Sequence, residues 1–245
     1  MEQTPGIKKI REVRALCERS SARRKTGLFV TEGERICDEI PGEDIIAIYM
    51  SESYRREHPD GRCDYLLKDQ EFLKLADTRH PQGILTVVKQ RVFKPDDLPE
   101  GEKYIILETL QDPGNLGTIL RTAEAAGVSA LIMNKGCADI YSPKVVRSTM
   151  GSIFRVPFIY VEELAPAVNK LKESGVTVYA ADISGESIYN TRLAGKRAFI
   201  IGNEGNGLTK EARDLADKVI SIPMAGKVES LNAAVSAALL MYAGK

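Results

Sequence analysis

Three short stretches hold the polar residues whose types and spacing could do chemistry. The first, Gly202-Asn203-Glu204-Gly205-Asn206-Gly207, sets three glycines in six residues after an apolar run, a composition that lets backbone approach a ligand closely. Its spacing is G-x-x-G-x-G, not the G-x-G-x-x-G of a dinucleotide fold, and no G-x-x-x-x-G-K-[ST] occurs in the chain. Glu204 at its centre would repel a phosphate, so an uncharged or cationic ligand suits the loop better. A glycine-rich turn that merely joins strand to helix is the plainer alternative. The second stretch, "TLQDPGNLGTILRTAEAAG", carries Asn115 where a helix N-cap is expected. Leu116, Ile119, Leu120 and Ala123 then form an apolar stripe, and Arg121 falls about 140° away from it at helical spacing. Arg121 therefore points off the packed face, and by itself it reads as a surface arginine paired with Glu124. In the third stretch, "MAGKVESLNAAVSAALLMYAGK", either Ser230 or Asn232 could cap the last helix.

These stretches need elements to position them. "RVFKPDDLPEG", residues 91–101, has the prolines, acids and glycine of a domain linker. Before it, a basic helix and apolar runs at "GLFV", "IIAIYM" and "GILTVV" predict a small α/β domain over 1–92. After it, "KYIILE", "VSALIM", "VTVYAAD", "RAFIIG" and "KVISIP" are apolar runs of strand length separated by helical segments. That alternation predicts a parallel sheet covered on both faces over 102–245. Ligands in such sheets sit beyond the carboxyl ends of the strands, where all three polar stretches lie. The final helix, "AAVSAALLMYA", is apolar nearly all round and is expected to be buried in the core or against a second subunit.

At 245 residues with 43% hydrophobic content, the chain is long enough for one large or two small cores. Basic and acidic residues balance at 34 each, so no global field advertises a polyanionic partner. Residues 1–30 are an exception, with eight Lys or Arg against three Glu, a cluster able to contact phosphates although a solvated helix face is the commoner meaning. Four scattered cysteines without a C-x-x-C pair, and two distant histidines, predict no metal site and reduced thiols. No run approaches a membrane span and the amino terminus has no signal-peptide core, so a cytoplasmic protein is expected.

In order along the chain, "N-L-G-x-x-x-R-T-A", "I-I-G-N-E-G-x-G-L" and "I-P-M-x-G-x-x-x-S-L-N-A-A-V-S" resemble the three motifs of the SpoU/TrmH family of RNA ribose 2′-O-methyltransferases. This likeness covers residues 102–245. "FVTEGERICDEI" and "HPQGILTVV" resemble the ribosomal-protein-like substrate-binding domain of the family's longer members. The resemblance implies a SPOUT fold: an α/β domain with a parallel sheet and a deep trefoil knot, preceded by a small α/β RNA-binding domain. General topology rules argue against a knot, so that feature rests on the resemblance alone.

It also implies S-adenosylmethionine as methyl donor, a homodimer formed through the carboxy-terminal domain, and RNA as substrate. The long amino-terminal domain favours ribosomal over transfer RNA. By motif position Arg121 is the residue assigned to activating the ribose hydroxyl, although a guanidinium stays protonated and suits holding better than proton removal. Asn115 would orient Arg121 or the ribose, Glu204 would position either, and Ser230 and Asn232 would complete the polar wall. Gly202, Ile222 and Leu231 match positions whose main chain meets the cofactor. Lys227 and Arg147 are weaker candidates for RNA contact. Two rivals remain at this stage: a non-catalytic RNA-binding or assembly protein that keeps the fold, and a knotted enzyme that methylates a base.

Overall fold

The computed structural model describes residues 3–244. They form two compact units: the chain up to Arg91 together with Asp139–Phe154, and Val92–Ala138 together with the chain from Arg155 onward.

The first unit begins with two helices, α1 (Ile7–Glu18) and α2 (Ser20–Thr26), followed by β1 (Leu28–Glu32) and the short α3 (Glu34–Cys37). Then come β2 (Ile45–Ser51), α4 (Glu52–Glu57), β3 (Tyr65–Leu67), α5 (Asp69–Leu75) and β4 (Ile84–Lys89). The sheet order is β1-β4-β2-β3, with β4 antiparallel to both neighbours and β2 parallel to β3. β4 is a central strand, so its run Ile84–Val88 is buried on both faces and reads as continuous apolar sequence. Val13 and Leu16 of α1 join Tyr49, Phe72 and Leu85 in this unit's core.

The basic segment is only partly a solvated face. Arg14 pairs with Glu18 at 2.7 Å, and Arg23 is buried, donating to the Leu16 and Cys17 carbonyls and to Asp139. Lys8, Arg11, Arg24 and Lys25 are exposed.

The second unit contains β5 (Lys103–Leu107), α6 (Pro113–Ala126) and β6 (Ala130–Asn134). The connection after β6 contributes α7 (Pro143–Thr149) to the first unit before β7 (Phe158–Val161). α8 (Leu164–Glu173), β8 (Thr177–Ser187), β9 (Arg197–Ile201), α9 (Lys210–Asp214), β10 (Lys218–Ser221) and α10 (Ala233–Tyr242) complete it. All six strands pair in parallel, in the order β10-β8-β9-β5-β6-β7. Chain order therefore reverses between β5 and β9, the switch point of the sheet, beside which ligands commonly bind at the carboxyl edge. The linker is docked on this unit: Phe93 and Leu98 pack against its core, and the Tyr104 hydroxyl donates to the Pro99 carbonyl at 2.8 Å.

α10 is buried on one side through Ala233, Ala234, Ala237, Leu240 and Met241. On the other side Val235, Leu239 and Tyr242 stand 48%, 39% and 46% exposed, at spacings of four and three residues. An apolar helix expected to be buried in the core or against a second subunit thus keeps one hydrophobic stripe on the surface.

Candidate functional site

The glycine loop after β9 is closed upon itself. Asn203 and Gly207 exchange two main-chain hydrogen bonds of 3.0 Å, and the Asn203 side-chain oxygen accepts from the Gly205 and Asn206 amides at 3.0 and 3.1 Å. The N–H groups that a phosphate loop would offer to its ligand are thus turned inward. Asn203 Nδ2 also donates to the Thr109 carbonyl at 2.9 Å, tying the loop to the one after β5. At the loop's far end Glu108, buried at the end of β5, accepts from the Thr209 amide and hydroxyl at 2.9 and 2.6 Å. Thr209 in turn caps α9 by accepting from the Ala212 amide at 3.1 Å.

Thr109 itself adopts φ 54°, an uncommon conformation for a β-branched residue. Asn134 holds it there, accepting from its amide at 2.8 Å and donating to its hydroxyl at 3.1 Å. Sequence reasoning passed over Glu108, Thr109, Asn134 and Asn203. The available signal was a charged residue ending the apolar run "YIILE".

Gly202 is demanded by close approach. A Cβ there would lie 2.3 Å from the carbonyl carbon of Gly207 and 2.5 Å from the Leu208 nitrogen. Both are main-chain atoms that no rotamer change can move. Gly202→Ala is expected to open the loop and to cost about 1–3 kcal/mol of stability. Thermal unfolding checks this, and an unchanged midpoint would refute it.

Glu204 joins the glycine loop to α6. Its carboxylate accepts from the Gln111 amide at 3.1 Å, from the Asp112 amide at 3.0 Å and from Asn115 Nδ2 at 3.1 Å. Partial burial works against the charge, but these hydrogen bonds together outweigh it and hold the carboxyl below its ordinary range. Asn115 Oδ1 accepts from Asn232 Nδ2 at 2.8 Å, and Asn232 Oδ1 accepts from the Ala234 and Val235 amides. A continuous polar chain, Glu204–Asn115–Asn232, thereby links all three stretches.

The cap of α6 differs from expectation, and the choice left open for α10 is settled. The N-cap of α6 is Asp112, whose carboxylate accepts from the Asn115 amide at 2.8 Å, because Pro113 takes the first helical position. That leaves the Asn115 side chain free for the relay. Asn232, not Ser230, caps α10.

Beside this chain lies a cavity of about 330 Å³, of the size that small-molecule sites take. Gly202, Ile222 and Leu231 all line it, together with Glu204 and Ser230. Its charged lining residues are Asp182, Glu204 and Glu229; no Lys, Arg or His is among them. Asp182 is fixed by Arg213 at 2.9 Å and by the Ser184 hydroxyl at 2.6 Å. An acid-rimmed pocket over glycine backbone fits a cationic, phosphate-free ligand and disfavours a nucleotide phosphate.

Asn115 and Asn232 stand behind the lining, and Arg121 is apart from it. Arg121 is exposed on α6, six residues or about 9 Å along the axis from Asn115. Among the described residues it makes no hydrogen bond or ion pair. Its expected partner Glu124 is engaged instead by Arg155. Arg147 is committed to Asp77 at 2.7 Å within the first unit, so its guanidinium is not idle. Lys227 is an exposed loop residue outside the cavity lining. Among the described residues no group of three or more His, Cys, Asp or Glu could hold a metal ion, and no helix is long and apolar enough to cross a membrane.

Comparison with known proteins matches residues 102–242 to the SpoU rRNA Methylase family and residues 8–86 to the MRM3-like substrate binding domain. The chain is 34% identical over 225 residues to the 23S rRNA (guanosine(2553)-2′-O)-methyltransferase RlmP of Bacillus subtilis, covering 90% of this chain and 89% of that protein. Among solved structures it is similar to a putative RNA methyltransferase of the TrmH family from Porphyromonas gingivalis, with TM-score 0.85, 27% identity and 99% of each chain covered. It is also similar to the SpoU methyltransferase AviRb from Streptomyces viridochromogenes in complex with AdoMet, with TM-score 0.85, 25% identity and 98% and 97% of the two chains covered.

Proposed function

The chain belongs to the SpoU rRNA methylase family, and from that premise we propose that it transfers the methyl group of S-adenosylmethionine to a ribose 2′-hydroxyl of ribosomal RNA. The observation that carries this reading is the cavity of Gly202, Ile222 and Leu231. It has carboxylates and no cation in its lining, over a loop whose amides are already satisfied internally. When bound, S-adenosylmethionine supplies a methyl group on a cationic sulfur, ready for in-line displacement.

The chain's own residues bind and align. The main chain at Gly202, Ile222 and Leu231 holds the donor, and Ser230 and Glu204 close its polar side. Asn115 and Asn232 keep Glu204 and the end of α6 in register with the cavity. Arg121 would grip the incoming ribose hydroxyl and its neighbouring phosphate, holding the attacking oxygen toward the donor's site. Fixing two reactants in line can supply roughly 7–11 kcal/mol of the barrier.

Residues 1–92 serve as the RNA-binding domain in this reading, with the exposed Lys8, Arg11, Arg24 and Lys25 as phosphate contacts. The stripe of Val235, Leu239 and Tyr242 is the face of a homodimer, which would also bring a second chain toward the isolated Arg121. The convergence of the loops after β9 and β10 on α10 is read as the trefoil-knotted arrangement, and the protein is placed in the cytoplasm with its RNA.

The deciding experiment is transfer of labelled methyl to unmodified ribosomal and transfer RNA, followed by alkaline hydrolysis. The expected result is label in ribosomal RNA at a bond that resists alkali. Label on an alkali-sensitive nucleotide would mean a base is the target, and no transfer despite donor binding would favour an RNA-binding role alone.

A further inference from the structure

We infer that Arg155 is a positioning residue that keeps Arg121 available to the ribose by occupying the carboxylate that would otherwise capture it. This rests on the reading that Arg121 meets the substrate. Glu124 is the only acid in α6 and lies one turn beyond Arg121. Residues three apart on a helix are surface neighbours, so an Arg121–Glu124 pair is what the isolated helix would form.

The folded chain prevents it. Arg155, the first residue to rejoin the second unit, meets Glu124 side-on, with Nε on one carboxylate oxygen and Nη2 on the other at 3.2 Å. A two-pronged guanidinium–carboxylate contact fixes both oxygens and outcompetes a single flexible neighbour. Arginine placed before the acid is also the weaker order for a pair within a helix. Arg121 is left exposed and without a partner among the described residues.

Removing Arg155 should therefore harm the reaction by misdirecting Arg121, not by loosening the fold. Arg155→Ala is expected to lower kcat about threefold, the share of Arg121 that an exposed helical pair would sequester, with the donor KM unchanged. Glu124→Gln alone should leave kcat at the wild-type level, and Arg155→Ala combined with Glu124→Gln should restore it. Arg155→Lys should keep most of the activity. A purely structural ion pair predicts the opposite pattern: both single variants lose activity and the double variant recovers nothing.

A readout independent of turnover is the Nε–H resonance of Arg121 in the full chain. It should shift in Arg155→Ala and return in the double variant. If the wild type methylates RNA and Arg155→Ala matches it, or if the Arg121 resonance does not move, the inference is overturned. If no RNA is methylated by any variant, the functional reading fails while the resonance still decides whether Arg155 controls Arg121.

Discussion

Arg121→Ala is expected to lower kcat for methyl transfer by about 10²–10³, the range found when a preorganised donor to a reacting oxygen is removed. Donor binding should survive, because Arg121 lies outside the cavity that Gly202, Ile222 and Leu231 line. Stability should change by no more than about 0.5 kcal/mol, since an exposed side chain without partners contributes little to the fold. A loss of kcat and kcat/KM together marks an interaction made only as the oxygen attacks, whereas a rise in RNA KM alone marks uniform binding. Arg121→Lys separates charge from geometry: lysine keeps the charge but not the fork, so recovery of only a small part of the rate indicates two-point holding. Single-turnover transfer with saturating donor measures all of this. A kcat within a few-fold of wild type in Arg121→Ala would remove the residue from the chemistry.

Much of the second unit was legible because its strands write themselves as apolar runs, those at the centre of the sheet (β5, β6 and β9) because they are buried almost throughout. β5, β6, β8, β9 and β10 fall at the five runs read from the sequence. β7 did not stand out, since "FIYV" is only four residues long and is half-exposed at Tyr160 and Val161 on the sheet edge. The same brevity hid β3, three residues long at the edge of the first sheet.

The site residues were legible as motifs, but their connections were not. Nothing local says that Asn115 Nδ2 finds Glu204 or that its oxygen accepts a hydrogen bond from Asn232, 117 positions away. Those contacts follow from the pairing of β5 with β9, whose following loops thereby lie side by side, and that pairing is a property of the whole sheet. The cap of α6 was misplaced for a local reason: Pro113 at the first turn moves the cap back to Asp112. The pairing of Glu124 with Arg155 was hidden because the partner arrives from 31 residues away. The grouping of residues 139–154 with the first unit was invisible to composition, for the segment reads as an ordinary helical connection between two strands of the second.

Arg23 is one anchor of that grouping, and Arg23→Ala is expected to destabilise the first unit by up to about 3–5 kcal/mol, the upper bound set by a fully buried pair when one partner, here Asp139, is only partly buried. The side chain is 4% exposed, and its donors are divided between two tasks. Nη1 donates to the Leu16 and Cys17 carbonyls at 2.7 and 3.2 Å, near the end of α1, where helix carbonyls lack partners within the helix. Nε and Nη2 both donate to Asp139 Oδ2, at 2.9 and 2.7 Å, from 116 residues away. Alanine would leave those carbonyls and a partly buried carboxylate without these donors.

Replacing Asp139 with Asn should cost less, because the carbonyl contacts of Arg23 remain and the amide oxygen still accepts. The ordering Arg23→Ala worse than Asp139→Asn therefore distinguishes a shared anchor from a simple ion pair. Denaturant unfolding gives the magnitudes, and amide exchange gives the place: protection should fall at the end of α1 and across 139–154, while β5, β9 and the glycine loop keep theirs. A residue that composition counted among possible phosphate contacts would then be shown to hold the first unit's discontinuous segment, and loss of less than about 0.5 kcal/mol, the range of ordinary surface changes, would contradict that role.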